Sequence, residues 1–147
     1  IDIVHFLRTY VESIDSINPD IEFIFNSHTP EYQLFFSPEL MAQLLDKLIT
    51  NAISFHEKNS PIRITLHKQI ETLYIEINNM GPLIDQTRMD SIFNSLTSYR
   101  EKSGGEAHLG LGLYVARLIA NYHQGELQVK NNSKTQSVSF FLKLKIN

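Results

Sequence analysis

Alternating apolar residues arrive along this chain in sequential pairs, with helical stripes between them, and that order restricts the fold more than any other feature. Ile62, Ile64 and Leu66 precede Leu73, Ile75 and Ile77 around Lys68-Gln69; Leu127 and Val129 precede Val138, Phe140, Leu142, Leu144 and Ile146. Period-two alternation gives a strand one buried and one wet face, and strands joined by short polar turns pair as antiparallel hairpins. A further hairpin is read from Ile21, Phe23 and Phe25 and from Tyr32, Leu34 and Phe36, on either side of His28-Thr29-Pro30.

Helical spacing governs the segments between. Val4, Phe6, Leu7, Tyr10, Val11 and Ile14 predict an amphipathic helix over Asp2 to Ile14, stopped by Asn18-Pro19. Ser37-Pro38 offers a capping hydroxyl and a first-turn proline, and it opens a stripe of Leu40, Met41, Leu44, Leu45, Leu48, Ile49, Ala52 and Ile53. A short helical patch near Gln86 to Phe93 leads into a polar stretch from Asn94 to His108 that reads as a mobile lid. A last helix runs to about Tyr122, with Leu113, Leu118 and Ile119 toward the core and Gly125 as its terminator. Together these elements predict an α+β, two-layer sandwich: a mixed, mostly antiparallel sheet with helices on one face.

At 147 residues and 42% hydrophobic, the chain suits one domain with a sizeable core. A net charge of −3 without a basic block argues against a nucleic-acid surface. The absence of cysteine excludes disulfides and thiolate zinc sites and suits a reducing compartment. No apolar run approaches a membrane span, and the chain, entering helical pattern directly at Ile1, reads as an excised piece of a longer protein.

Three places could carry chemistry. Gly110 and Gly112 join the polar stretch to the last helix, where N–H groups without intrahelical partners and the positive end of the dipole favour an anion; two such glycines also serve as a packing or turn device. Lys47, Asn51, Ser54, Phe55 and Lys58 share one side of the second helix, which is either a solvated face or a platform from which the Asn51 amide oxygen reaches Mg²⁺. Asn79-Met80-Gly81-Pro82 is a good turn, or a place where an amide oxygen accepts from the exocyclic amine of adenine. Arg100, Lys102 and His108 put cationic groups near the glycine-rich helix start, and Phe93 either locks the lid into the core or is a buried aromatic.

Taken in order, Leu45-Asp46-Lys47-Leu48-Ile49-Thr50-Asn51-Ala52, Asn79-Met80-Gly81-Pro82, Ser91-Ile92-Phe93-Asn94-Ser95 and Gly110-Leu111-Gly112-Leu113 resemble the N, G1, F and G2 boxes of the histidine kinase catalytic domain, of the GHKL ATPase superfamily. Leu-Asp-Lys-Leu, Asn-x-Gly-Pro and His-Leu-Gly-Leu-Gly-Leu-Tyr further resemble a proteobacterial subgroup of sensor kinases associated with sortase systems. The resemblance implies the Bergerat ATP-binding fold and Mg-ATP as cofactor. It makes Asn51 the metal ligand, Phe55 an adenine-side aromatic and Gly81 the G1 glycine. His108, Leu109, Gly110, Leu111 and Gly112 lie along the phosphates, and Lys47 and Arg100 join Asn51 near the reacting group.

This sequence departs from the family pattern at several positions. Asn79 stands where the family usually has Asp, keeping an acceptor without the charge; Lys47 replaces the first N-box Asn; Leu83 replaces the second G1 glycine; His108 and Leu109 replace Gly and Ser or Thr. These changes bear on Mg²⁺ geometry and lid closure rather than on the fold. None of the six histidines sits in the family's phosphoacceptor setting, so the acceptor histidine and the dimerisation helices are expected upstream of Ile1. The expected activity is transfer of the γ-phosphoryl of ATP to that histidine, with a response regulator as onward partner. The fragment is expected to be monomeric, in the cytosolic part of a membrane-bound, homodimeric sensor. The alternatives are a non-catalytic nucleotide-binding or docking module of the same fold, and a serine-protein kinase or ATPase sharing it.

Overall fold

The computed structural model describes residues 1–94 and 111–146, the side chain of Leu111 excepted. Its elements are α1 (Ile3–Ile17), β1 (Phe23–Ser27), α2 (Pro38–Phe55), β2 (Ile62–Lys68), β3 (Thr72–Met80), α3 (Gln86–Met89), α4 (Leu111–Tyr122), β4 (Glu126–Asn132) and β5 (Ser137–Lys145). The strands form one sheet in the order β1-β2-β3-β5-β4, parallel at β1–β2 and antiparallel elsewhere. Ile62, Ile64 and Leu66, Leu73, Ile75 and Ile77, and Val138, Phe140, Leu142 and Leu144 all turn into a single core with the apolar stripes of α1, α2 and α4. The outer sheet face is polar, with Asn78 Nδ2 donating to Ser137 Oγ (3.1 Å) and Ser139 Oγ (2.9 Å). The two-layer α+β sandwich and both later hairpins are as the alternation predicts.

The first predicted hairpin does not form. β1 pairs with β2, Phe23 opposite Ile62 and Phe25 opposite Ile64, because α2 provides the crossover that a parallel neighbour needs. Residues 32–36 lie instead along the start of α1: Ile3 N donates to Tyr32 O (2.9 Å), Leu34 N to Ile1 O (2.8 Å), and Asp2 and Gln33 make an isolated bridge. Asp2 also caps α1, its Oδ1 accepting from Val4 N (3.0 Å) and Tyr32 N (3.1 Å), and these bonds hold its carboxyl below the usual aspartate range.

Two details of α4 differ from expectation. Leu113, Ala116, Ile119 and Ala120 face the core, whereas Leu118 falls off that stripe and is 49% exposed. The helix ends in a Schellman arrangement, Gly125 N donating to Ala120 O (2.8 Å), in which Gln124 takes the positive φ of 57°. Gly125 is a glycine for lack of space, since a Cβ there would lie 2.8 Å from Lys143 O and 2.9 Å from Leu144 Cδ2.

α2 begins at the predicted cap, Ser37 Oγ accepting from Leu40 N (3.2 Å). His123, at the end of α4, engages Ile119 O through Nδ1 (2.9 Å), so its Nε2 is free to accept from Ser37 N (3.1 Å) and joins the two helices. At the far end of α2, Gly81 has φ 148°, and a Cβ built on it would lie 2.2 Å from Phe55 O. Glu57 N donates to Met80 O (2.6 Å) and Gly81 N to Gln136 O (2.9 Å) at the same junction. Side-chain atoms cannot enter there, and α2 is thereby pinned to the exit of β3.

Gly81→Ala should therefore cost roughly 2–4 kcal/mol, through strain at positive φ and displacement of the helix end, read as a lowered urea midpoint. A second prediction concerns Tyr10, whose hydroxyl donates to Asp46 Oδ1 (2.7 Å) and ties α1 to α2. Burial first, and then the Asp46 carboxylate, raise its phenol above the ordinary range. A proton held more tightly in the folded state stabilises fully below the unfolded phenol pKa of about 10 and is lost as pH rises past it. Tyr10→Phe should cost about 1 kcal/mol at pH 7. Paired urea titrations should show that advantage of native over variant shrinking above about pH 10.

Candidate nucleotide site

Lys47, Asn51 and Phe55 follow one another at intervals of four on α2, so they form a single ridge along the helix. The ridge begins at α4: the Lys47 stem passes Gly112 in the first turn, with Cδ 3.8 Å from where a Gly112 Cβ would sit. It ends at β3, where the Phe55 carbonyl meets Gly81 and the Asn79 amide nitrogen lies 3.5 Å from the position of a Gly81 Cβ. Three of the four predicted boxes are thus joined through one helix. The solvated-face reading fails for Asn51, which is 6% exposed, and for Phe55, which belongs to the core, whereas Lys47 is exposed.

Asn51 Nδ2 and Asn79 Oδ1 are, among the described residues, the two buried side-chain polar atoms without a hydrogen-bond partner. Leaving such an atom unpaired costs about 1–3 kcal/mol, so the pair, one on α2 and one near the exit of β3, calls for a ligand. Asn79, 1% exposed, faces inward at the end of β3, opposite Ile62 and Val138. Its Nδ2 donates to Met80 O (3.1 Å), an arrangement that a carboxylate could not make, and this turns Oδ1 into the free acceptor. The acceptor suits an exocyclic amine such as that of adenine. For Asn51 the buried unpaired atom is the nitrogen, and its amide oxygen is the hard-oxygen donor that Mg²⁺ takes. No group of three or more His, Asp or Glu able to hold a metal occurs among the described residues. One amide is nonetheless a fitting protein contribution to an ion that usually keeps several waters and shares phosphate oxygens.

The other predicted positions divide into described and undescribed. Phe93 packs edge-on against Phe140, with ring centroids 5.9 Å apart, so it anchors the segment after α3 to β5. Asn94 at the end of that segment accepts from Arg117 Nη1 on α4 (2.5 Å). Leu111 opens α4. Arg100, His108, Leu109 and Gly110, together with the predicted lid beyond Asn94, lie outside the described residues. A cavity of about 600 Å³, lined by residues including Phe35, Phe36, Tyr122 and Ile146, contains none of the predicted site residues.

One contributor escapes the sequence reading. Asn131 on β4 clamps the backbone leaving Gly81-Pro82, its Oδ1 accepting from Ile84 N (3.0 Å) and its Nδ2 donating to Ile84 O (2.8 Å). The available signal was an Asn two residues beyond Val129 in a strand that otherwise alternates apolar residues inward.

Comparison with known proteins bears on the family and the fold. The family model described as histidine kinase-, DNA gyrase B- and HSP90-like ATPase matches residues 37–146. The signal transduction histidine-protein kinase ArlS of Staphylococcus aureus (strain USA300) is 25% identical over 126 residues, covering 85% of this chain and 28% of ArlS. This chain thus spans little more than a quarter of that relative's length. Among solved structures, the nucleotide-free catalytic domain of histidine kinase ThkA superposes with a TM-score of 0.82 at 22% identity, over 99% of this chain and 93% of that one. The mycobacterial sensor histidine kinase MprB gives 0.80 at 17%, over 99% and 95%. The matched region contains the α2 ridge, the β3 exit and the first turn of α4 in the predicted order, and the chain belongs to the histidine kinase-, DNA gyrase B- and HSP90-like ATPase family.

Proposed function

We propose that this chain is the ATP-binding catalytic domain of a sensor histidine kinase, one domain of a longer protein. It binds Mg-ATP and presents the γ-phosphoryl to a histidine on an upstream dimerisation and phosphoacceptor domain. The observation that carries the reading is the pair of buried, unpaired amide atoms, Asn51 Nδ2 on α2 and Asn79 Oδ1 on β3, on two elements pinned together at Gly81. In support, ArlS is named a signal transduction histidine-protein kinase. ShkA has been solved in complex with AMPPNP, and ThkA in complex with the response regulator TrrA. A response regulator is accordingly the proposed onward partner. No helix among the described residues is long and apolar enough to cross a membrane, consistent with a place in the cytosolic part of a membrane-bound sensor.

In this reading the chain's own work is positioning, as phosphoryl transfer requires. Asn79 accepts from the adenine amine and fixes the base, while Gly81 and Asn131 hold the backbone that carries it. Asn51 would hold Mg²⁺, which when bound neutralises charge on the phosphate oxygens. Gly112 leaves the first turn of α4 bare so that its N–H groups approach the phosphates, with Gly110, His108 and Arg100 proposed to contribute from the preceding segment.

Two substitutions separate a ligand role from a structural one. Asn79→Val removes the unpaired acceptor and suits a strand, so the free protein should be unchanged or up to about 2 kcal/mol more stable, while ADP affinity measured by calorimetry falls at least about tenfold. Undiminished ADP binding by this variant would remove Asn79 from the site. Gly112→Ala adds a methyl only to ordinary contact distance from Lys47 and improves helix propensity, so the melting temperature should hold while nucleotide affinity drops. Transfer itself is tested by supplying the upstream acceptor domain with radiolabelled ATP. Label on histidine supports the kinase, and nucleotide binding without transfer supports the docking-module alternative.

A further inference from the structure

We propose that Lys47 supplies a fixed positive charge to the polyphosphate, so that nucleotide binding at this site depends on Lys47 more than on Mg²⁺. The inference rests on the nucleotide-site reading above and concerns how charge at that site is neutralised.

Three observations converge on Lys47. It is exposed, one turn before Asn51 on the same ridge, and its stem lies against Gly112 in the first turn of α4. The N–H groups of that turn carry the positive end of a twelve-residue helix. An ammonium led to the positive end of a helix is repelled unless a counter-charge sits between them, and Lys47 has no ion pair among the described residues. Its acidic neighbour Asp46 is engaged with the Tyr10 hydroxyl (2.7 Å), toward α1. Here a multivalent anion would satisfy the ammonium, the helix end and the buried Asn51 amide together, and a polyphosphate has the required charge and reach.

A lysine in this place also changes what Mg²⁺ contributes. An ammonium is a compact point charge with three donors, and it competes with a divalent cation for the same phosphate oxygens while repelling it. Part of the neutralisation that an ion would supply is then built into α2. The Asn51 amide offers a donor, its unpaired Nδ2, and an oxygen that suits a metal when one is present.

The test is calorimetry of ADP binding to the whole 147-residue chain, in excess Mg²⁺ and in EDTA, for native protein, Lys47→Asn and Lys47→Arg. Native protein should bind in EDTA within about threefold of its Mg²⁺ value. Lys47→Asn should lose about tenfold or more in EDTA and recover most of it with Mg²⁺, while Lys47→Arg, which keeps the charge, should follow the native pattern. Circular dichroism of each variant confirms the fold, which a change at an exposed position leaves intact. If native protein and Lys47→Asn depend on Mg²⁺ equally, the inference is overturned and the nucleotide site stands. If no variant binds ADP in either condition, both fall together.

Discussion

The contact on which the rest of the molecule depends is the approach of the last carbonyl of α2 to the backbone at Gly81. It admits no side chain at 81 and is reinforced by Glu57 N on Met80 O and Gly81 N on Gln136 O. The result is a fixed distance between a helix and the end of a central strand. Everything assigned to the site is measured from that junction. Asn79 lies two residues before it on β3, Asn51 one turn before it on α2, and Lys47 another turn back, where α2 meets α4.

Stability and function pull against each other at this junction. A core built from Leu44, Leu45, Leu48, Ile62, Ile64, Ile75, Ile77 and Phe140 would be better filled by aliphatic residues than by Asn51 and Asn79. The fold instead holds both amides almost dry, each with one atom unpaired. Buried polar atoms left open in this way are preorganised: they lose little on meeting a ligand because the cost was incurred on folding. The Asn79 amide takes this furthest, since its bond to Met80 O fixes which end is left unpaired.

The departures from the family pattern acquire physical meaning beside these contacts. At 79, an amide does what a carboxylate cannot, bonding its own strand's carbonyl while keeping an acceptor free. At 83, a leucine replaces a glycine and its side chain packs on the core, while Asn131 holds the adjoining Ile84 backbone at both its N–H and its C=O. At 47, a lysine whose stem lies against the first turn of α4 has no ion pair among the described residues.

Local pattern determined the elements and the candidates. The stripes of α1, α2 and α4, the caps at Ser37 and Asn18, the hairpins β2–β3 and β4–β5 and the two candidate amides could all be read in one dimension, because period, capping chemistry and side-chain type are properties of neighbouring residues. Tertiary structure alone decided that β1 pairs with β2 rather than with residues 32–36, since a parallel pairing is made by the α2 crossover and leaves no mark in either strand. It alone decided that Gln124, and not Gly125, takes the left-handed turn after α4, because Gly125 is required by the approach of β5. It also decided that Lys47, Asn51 and Phe55 connect α4 to β3, with Asn131 steadying the segment beyond. Contacts between residues distant in sequence depend on how helices and strands pack, and packing is settled by the volume and shape of the whole core.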